Sequence, residues 1–255
     1  MGRPIPFSDA DFSVSAVAPY RRACLVDTNF LIALAYEPHK FHEEAQGFFE
    51  ILGREKVAVY ISLSTRSEFL DFERRVIVTE QMLGMLADNS TWKITRETRQ
   101  KLHAQKTWVD QQAGRSDLPV LTDGRIKEVK KLFSPMKASG HDGWLDFCNY
   151  YLTGLLDRWE KAADAWGLNY VGTRETENSD LFQKKVRWEN LYTLSAKTCL
   201  GSFDAMLLNM FLSSNFRWMV SLDYDLAYGM MAESDSRSVL IPDSLYRNQF
   251  KKMRF

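Results

Sequence analysis

Two aspartates that end apolar runs are the residues of this chain best suited to chemistry. Asp27 follows the apolar run 23–26, and Asp223 follows a second apolar run, 218–222. Short apolar runs of this kind are typical of buried parallel strands. Ligands of open α/β sheets bind outside the carboxyl ends of such strands. Two distant strands that both end at an aspartate therefore predict one shared acidic site.

Two further acids lie in comparable positions. Glu68 comes shortly after the β-branched and aromatic run 57–61, and Asp204 lies in the first turn of a helix predicted from Ser202. Convergent carboxylates without thiol or imidazole partners favour Mg²⁺ or Mn²⁺ over zinc. Two such cations about 3.5–4 Å apart can activate a water molecule and stabilise the leaving oxygen of a phosphodiester. If the four acids converge, they predict a Mg²⁺ or Mn²⁺ site, and phosphodiester hydrolysis is a reaction that such a site can support.

Each acid also has an ordinary structural interpretation. Asp27 and Asp225 can cap the helices that follow them, the helix dipole favours Asp204, and Glu68 can be a solvated helix residue. Gathering all four has an energetic cost, because two carboxylates about 4 Å apart repel by roughly 4 kcal/mol at an effective dielectric constant of 20. If the acids converge, a bound cation is the natural way to relieve that repulsion.

The elements that must position these acids alternate at both ends of the chain. Strands are predicted at 22–26, 57–61, 218–222 and 238–241, each with a helix nearby, whereas the middle of the chain is mostly helical. This order predicts an α/β fold with a central, mainly parallel sheet flanked by helices. We expect an N-terminal arm over residues 1–20 and a single domain over 21–255, with a mostly helical insertion at about 76–200.

Four segments resemble the acidic motifs of PIN-domain ribonucleases, the family of the VapC-like toxin nucleases. They are 26–32 around Asp27, 62–70 around Glu68, 201–205 around Asp204, and 220–226 around Asp223. The resemblance covers about 23–75 and 200–242, and it leaves out the arm and the long middle. All four segments occur in the family's order, which is more informative than any one short motif.

The resemblance implies roles for individual residues. Asp27, Glu68, Asp204 and Asp223 would be the catalytic acids that hold Mg²⁺ or Mn²⁺, with Asp225 as a further metal-holding acid. The supporting residues would be Thr28, Asn29 and Ser221, which orient the acids or the substrate, and Asp71, which lies one helical turn after Glu68.

The resemblance also implies an endoribonuclease that cuts RNA, with structured RNA such as tRNA among the candidates. PIN toxins associate as homodimers and are restrained by antitoxins, so a toxin–antitoxin or defence-system effector with a protein partner is expected by analogy. Two alternatives stay open: a structure-specific DNA nuclease, and a PIN-derived interaction module without catalytic activity.

The overall charge does not predict nucleic-acid binding, because the formal net charge of the 255 residues is zero. A local excess exists at 92–137, where eleven basic and five acidic residues give a net charge of +6, with Trp92 and Trp108 among them. This segment is either an RNA-binding lobe or a solvated helical face. The candidate RNA-binding residues are Lys93, Arg96, Arg99, Lys127, Lys130 and Lys131.

The remaining sequence features point to a cytoplasmic protein. We identify no apolar run of about 18 residues that would cross a membrane and no signal peptide. The three widely spaced cysteines, Cys24, Cys148 and Cys199, are typical of small apolar residues in a reducing compartment.

Overall fold

The chain forms two compact units in a computed structural model. The structure describes residues 2–13, 21–87, 94–113, 118–133, 137–138, 141–171 and 180–251. The first unit, here called the sheet unit, comprises Met1–Glu68 and Ala165–Phe255, and the second, the helical unit, comprises Phe69–Asp164.

The sheet unit contains six strands that are all parallel, in the order β1-β8-β7-β2-β3-β6. Their bounds are β1 (Arg3–Pro6), β2 (Arg21–Val26), β3 (Ala58–Ile61), β6 (Asn169–Tyr170), β7 (Phe216–Val220) and β8 (Ser238–Ile241). A two-stranded antiparallel sheet in the helical unit joins β4 (Lys137–Ala138) to β5 (His141–Asp142).

Helices flank the main sheet and make up most of the helical unit. The helices are α1 (Thr28–Ala35), α2 (His42–Arg54), α3 (Leu63–Gly84), α4 (Arg96–Ala113), α5 (Asp123–Phe133), α6 (Gly143–Tyr151), α7 (Leu155–Ala165), α8 (Trp188–Thr198), α9 (Ser202–Ser213), α10 (Tyr224–Met231) and α11 (Asp243–Leu245), with short helical turns at Phe7–Asp9 and Tyr246–Phe250. Among the residues that the structure describes, no helix is both long enough and apolar enough to cross a membrane.

The apolar runs of the sequence become the central strands because both faces of the sheet are covered. All of the last four residues of β2 are buried, as expected for a parallel strand with helices on both faces. The α/β class and the parallel sheet flanked by helices are therefore confirmed. The strand predicted at 218–222 instead ends at Val220, since Ser221 and Leu222 belong to the turn before α10.

The predicted N-terminal arm contributes a strand of the main sheet. Residues Arg3–Pro6 pair in parallel with β8 at one edge, where two prolines are tolerated because one side of an edge strand forms no ladder. Phe7 and Phe12 are buried, and the Phe7 ring stacks on Phe48 with a centroid distance of 3.9 Å. Residues 14–20 of the arm lie outside the described residues.

A buried arginine caps the C-terminal end of α9. Arg237 is 1% exposed, and its guanidinium donates hydrogen bonds to the backbone carbonyl oxygens of Phe211, Leu212, Ser214 and Phe216. Its charge is balanced by Asp235, whose Oδ2 lies 2.7 Å from Nη2. The carbonyl groups at a helix end need partners, and this side chain supplies them where water cannot.

We expect Arg237→Ala to lower the free energy of unfolding by about 3–5 kcal/mol, because it leaves buried carbonyls and a carboxylate without their partner. Chemical denaturation measures this change. Arg247→Ala is the control, since Arg247 is exposed. Equal stability of the two variants would contradict the structural role assigned to Arg237.

Candidate active site at the carboxyl ends of the parallel strands

Asp27 is a buried carboxylate between β2 and α1, only 4% exposed. Its Oδ1 accepts a hydrogen bond from the backbone N–H of Thr28 at 2.6 Å, and its Oδ2 accepts one from the Ser221 hydroxyl at 2.8 Å. The capping role that the sequence offered as an alternative is therefore real. Capping uses one oxygen, whereas the second oxygen faces the neighbouring strand end, where a site is expected.

Asp223 follows β7 and caps α10. Its Oδ1 accepts from the backbone N–H groups of Asp225 at 2.6 Å and Leu226 at 3.3 Å. The backbone N–H of Asp223 donates to the Ser221 hydroxyl oxygen at 3.0 Å. Ser221 is thus hydrogen-bonded to both aspartate positions and fixes the two adjacent strand ends relative to each other.

The other two predicted acids, Glu68 and Asp204, lie on α3 and α9. The Thr28 hydroxyl donates a hydrogen bond to the Glu68 carboxylate, which links the start of α1 to the second turn of α3. Asp204 lies in the first turn of α9, and its electrostatic neighbours include Asp223, Glu68 and Asp225. Asp204 is therefore within electrostatic range of the other three acids that the sequence singled out, and of Asp225.

Burial and mutual repulsion raise the pKa values of two of these acids. The pKa of Asp27 rises to about 7, first because of burial and then because of the charges of Asp204 and Asp223, against the lowering effect of the Ser221 hydrogen bond. The pKa of Asp204 rises to about 6, again first through burial and then through Asp223, Glu68 and Asp225. Such shifts are common at functional sites.

The donor chemistry of the group fits a hard divalent cation. All of its acidic ligands are carboxylates, and a cation would favour their charged forms where their own repulsion disfavours them. As the side chains stand, no three His, Cys, Asp or Glu residues of the described part of the chain form a ready metal cage. A cation would therefore have to draw the carboxylates closer together.

The supporting residues have different surroundings. Thr28 and Ser221 hold Glu68 and Asp27 directly. Asn29 is half-buried in α1. Asp71 belongs to the helical unit, where its carboxylate pairs with Arg74 at 2.6 Å and Arg75 at 3.4 Å. These ion pairs give Asp71 a structural partner, and its predicted support of Glu68 stays a prediction.

The candidate RNA-binding residues lie on two helices of the helical unit. Arg96 and Arg99 are on α4, and the exposed Lys127, Lys130 and Lys131 are on α5. The Arg99 guanidinium donates to the carbonyl oxygen of Leu86 at 3.2 Å.

Other members of the basic segment have structural partners or lie outside the described residues. Arg125 lies 4.2 Å from the centroid of the Trp108 ring, so this tryptophan is engaged by a neighbouring cation. Lys93 and Trp92 lie outside the described residues. The exposed lysines are compatible with both interpretations of this segment.

Exposed aromatic side chains on α8 and α9 were not identified from the sequence. Phe203 immediately precedes Asp204 and is 60% exposed, and Trp188 and Tyr192 of α8 are 67% and 71% exposed. The spacing of four residues between Trp188 and Tyr192 places them on one helix face, which is a signal that the sequence contained. Their exposure, however, depends on tertiary packing.

No family model, curated protein or solved structure matches the chain.

The raised pKa of Asp27 predicts that the metal-free protein loses stability as the pH rises. Between the unfolded value near 3.8 and the folded value of about 7, the folded state binds more protons than the unfolded state. The resulting loss in the free energy of unfolding is absent below the lower pKa and complete above the higher one. It amounts to roughly 4 kcal/mol at most. We expect thermal melts in chelator to give a higher melting temperature near pH 5 than near pH 8.

Asp27→Asn should remove much of this pH dependence and leave the metal-free fold at least as stable near pH 8, because asparagine keeps the cap without the charge. Glu50→Gln, at an exposed position of α2, is the matched control and should keep the wild-type profile. A large loss of stability in Asp27→Asn would show that the ionised carboxylate is needed by the fold.

A second prediction concerns metal binding. Mn²⁺ should raise the melting temperature of the wild-type protein near pH 8 more than near pH 5, because protons compete with the cation for Asp27 and Asp204. In Asp27→Asn and Asp204→Asn this stabilisation should be reduced, whereas Glu50→Gln should retain it. Equal shifts in all four proteins would place the bound ion elsewhere.

Proposed function

We propose that this chain is a divalent-metal-dependent endoribonuclease with a PIN-like fold. The observation that carries the proposal is the Asp27 carboxylate that follows β2 and accepts a hydrogen bond from Ser221, and whose pKa is raised to about 7 by burial and by the charges of Asp204 and Asp223. Burial of a repelling carboxylate costs stability, and a phosphodiesterase site would recover that cost when it binds its cation.

The residues divide into those that would hold the cation and those that orient them. Asp27, Glu68, Asp204 and Asp223 would hold Mg²⁺ or Mn²⁺, with the exposed Asp225 at the rim. The bound cation would supply an activated water and charge relief on the phosphate. The Ser221 and Thr28 hydroxyls keep an oxygen of Asp27 and of Glu68 in fixed directions, and burial of Asp27 excludes water from one side.

The helical unit fits the same proposal as an insertion in a PIN-like domain. Residues 69–164 fall in sequence between Glu68 and Asp204, within or close to the segment predicted to be inserted. Its exposed lysines would contact RNA phosphates, with structured RNA such as tRNA among the candidate substrates. By analogy, the biological role would be that of a cytoplasmic toxin or defence effector that works as a homodimer or with a restraining protein.

The test is cleavage of end-labelled RNA and DNA strands of matched sequence with Mg²⁺ or Mn²⁺. We expect internal RNA cleavage, abolished by chelator. Asp27→Asn and Asp204→Asn should each lower the rate by at least roughly 100-fold, because each removes a carboxylate from a site that supplies several kcal/mol of charge stabilisation. Glu50→Gln should cleave at the wild-type rate.

The outcomes separate the alternatives. Preferred cutting of DNA would replace the proposal with a DNA nuclease. If neither metal supports cleavage of either nucleic acid, the remaining alternative is the PIN-derived interaction module without catalytic activity. RNA cleavage that survives Asp204→Asn would point to a contaminating nuclease.

A further inference from the structure

A polar pocket opens between α4 and α5 of the helical unit. Its volume is about 310 Å³, at the lower end of the range found for small-ligand sites. The side chains that line it come from the two helices in equal number: Lys101, Ala104 and Gln105 from α4, and Glu128, Lys131 and Leu132 from α5. Each helix therefore contributes one ammonium group to the same pocket.

Gln105 is the buried polar side chain of this pocket and is 8% exposed. Its Oε1 accepts a hydrogen bond from Nη1 of Arg125 at 2.7 Å, and its Nε2 donates to Oε2 of Glu128 at a longer 3.3 Å. The Arg125 guanidinium is itself held over the Trp108 ring. Because the amide oxygen already accepts from a cation, the group that Gln105 can offer to a ligand is an N–H donor.

The two lysines of the pocket keep donors for a ligand. The Nζ atom of Lys101 lies 2.7 Å from Oε1 of Glu97, in an exposed pair one helical turn apart. Such pairs are weak, and an ammonium group has three N–H donors, of which this contact uses one. Lys131 is exposed, and Lys127 lies one turn before it on the same face of α5. Cations from both helices therefore border one opening.

The donor set of the pocket suits a phosphate group. Two ammonium groups and an amide N–H outnumber the single carboxylate of Glu128, and phosphate oxygens are acceptors that lysine binds as a point charge. Glu128 weakens the attraction for any isolated anion. A phosphate within a chain suffers less from this, because neighbouring phosphates can bind the exposed Lys127 and Lys130 at the same time. The charges therefore favour a phosphodiester strand over a free phosphate ion.

We infer that the pocket between α4 and α5 holds a backbone phosphate of the RNA substrate, which makes the helical unit an RNA-binding lobe and not only a solvated helical face. The inference rests on the proposed function for the identity of the strand. Lys101 and Lys131 bind the phosphate oxygens from two sides, and the Gln105 amide donates from the wall of the pocket. Phosphate contacts fix the register of a strand but carry no sequence information, so the pocket positions RNA without selecting its sequence.

The experiment measures binding separately from cleavage. A fluorescently labelled single strand of RNA is titrated by fluorescence polarisation over a series of salt concentrations, in chelator and again with Ca²⁺. Lys101→Ala and Lys131→Ala should each weaken binding by roughly 3- to 10-fold at low salt, because each removes one charged contact to phosphate. Each should also lower the slope of log affinity against log salt by roughly 0.7, the value for one phosphate contact on a single strand.

Matched variants test whether the pocket is the cause. Lys106→Ala removes an exposed lysine of α4 that pairs with Asp110 at 2.7 Å and does not line the pocket, so its affinity and slope should stay close to wild type. Lys131→Arg keeps the charge and should also bind close to wild type. Glu128→Gln removes the carboxylate from the pocket and keeps an oxygen acceptor for Gln105, so it should tighten binding by roughly 2- to 5-fold.

Several results would overturn the inference. These are wild-type affinity and slope in both pocket-lysine alanine variants, an equal loss in Lys106→Ala, or absence of wild-type binding both in chelator and with Ca²⁺. Inorganic phosphate at constant ionic strength should displace RNA no better than chloride does. Strong displacement that Lys131→Ala abolishes would assign the pocket to a free phosphate ligand instead. Failure of the nuclease proposal looks different: the strand binds through the two lysines, but neither Mg²⁺ nor Mn²⁺ supports its cleavage.

Discussion

Burial of the Asp27 carboxylate at the end of a parallel strand is the constraint on which the proposed site depends. A carboxylate with 4% exposure loses most of its hydration, and two hydrogen bonds return only part of that loss. Its remaining cost is increased by the nearby charges of Asp204 and Asp223. Buried charges are normally paired, neutralised or bound to a metal, and the proposed function assigns a cation to this group.

The parallel sheet makes this arrangement possible. β2 and β7 are neighbours, and Val26 pairs with Val220, so the residues that follow the two strands leave the sheet side by side. Ser221 then bonds to Asp27 and to the backbone of Asp223, and Thr28 bonds to Glu68. Hydroxyl groups thus hold Asp27 and Glu68 in place without adding charge, so the negative potential of the acids is not neutralised by these contacts.

Under the proposed function, local surface features and not the overall charge would provide the binding of RNA. The formal net charge of the chain is zero, so long-range attraction of RNA would be weak. Exposed rings on α8 and α9 would offer stacking, and the helical unit carries exposed lysines on α5. Stacking depends little on salt, whereas phosphate contacts depend on it strongly, so the two features would act under different conditions.

The sequence by itself determined the central strands and the acids that follow them, because these depend on patterns among neighbouring residues. Continuous apolar runs predicted β2, β3, β7 and β8, since strands buried on both faces contain few polar residues. The acids at the ends of those runs were predicted to share a site because the carboxyl ends of parallel strands share an edge. Short edge strands were missed: β1 contains two prolines, and β6 has only two residues, too few for any periodicity.

Tertiary structure decided everything that depends on distant partners. The sequence already placed Arg74 and Arg75 within one helical turn of Asp71, but only folding brought Asp123 to Arg74 as a second ion-pair partner. Ser221 meets Asp27 across 194 positions of sequence, and the exposure of Trp188 depends on what packs against α8. Propensity and periodicity act over a few neighbouring residues, whereas burial, pKa and pairing are set by residues far away along the chain.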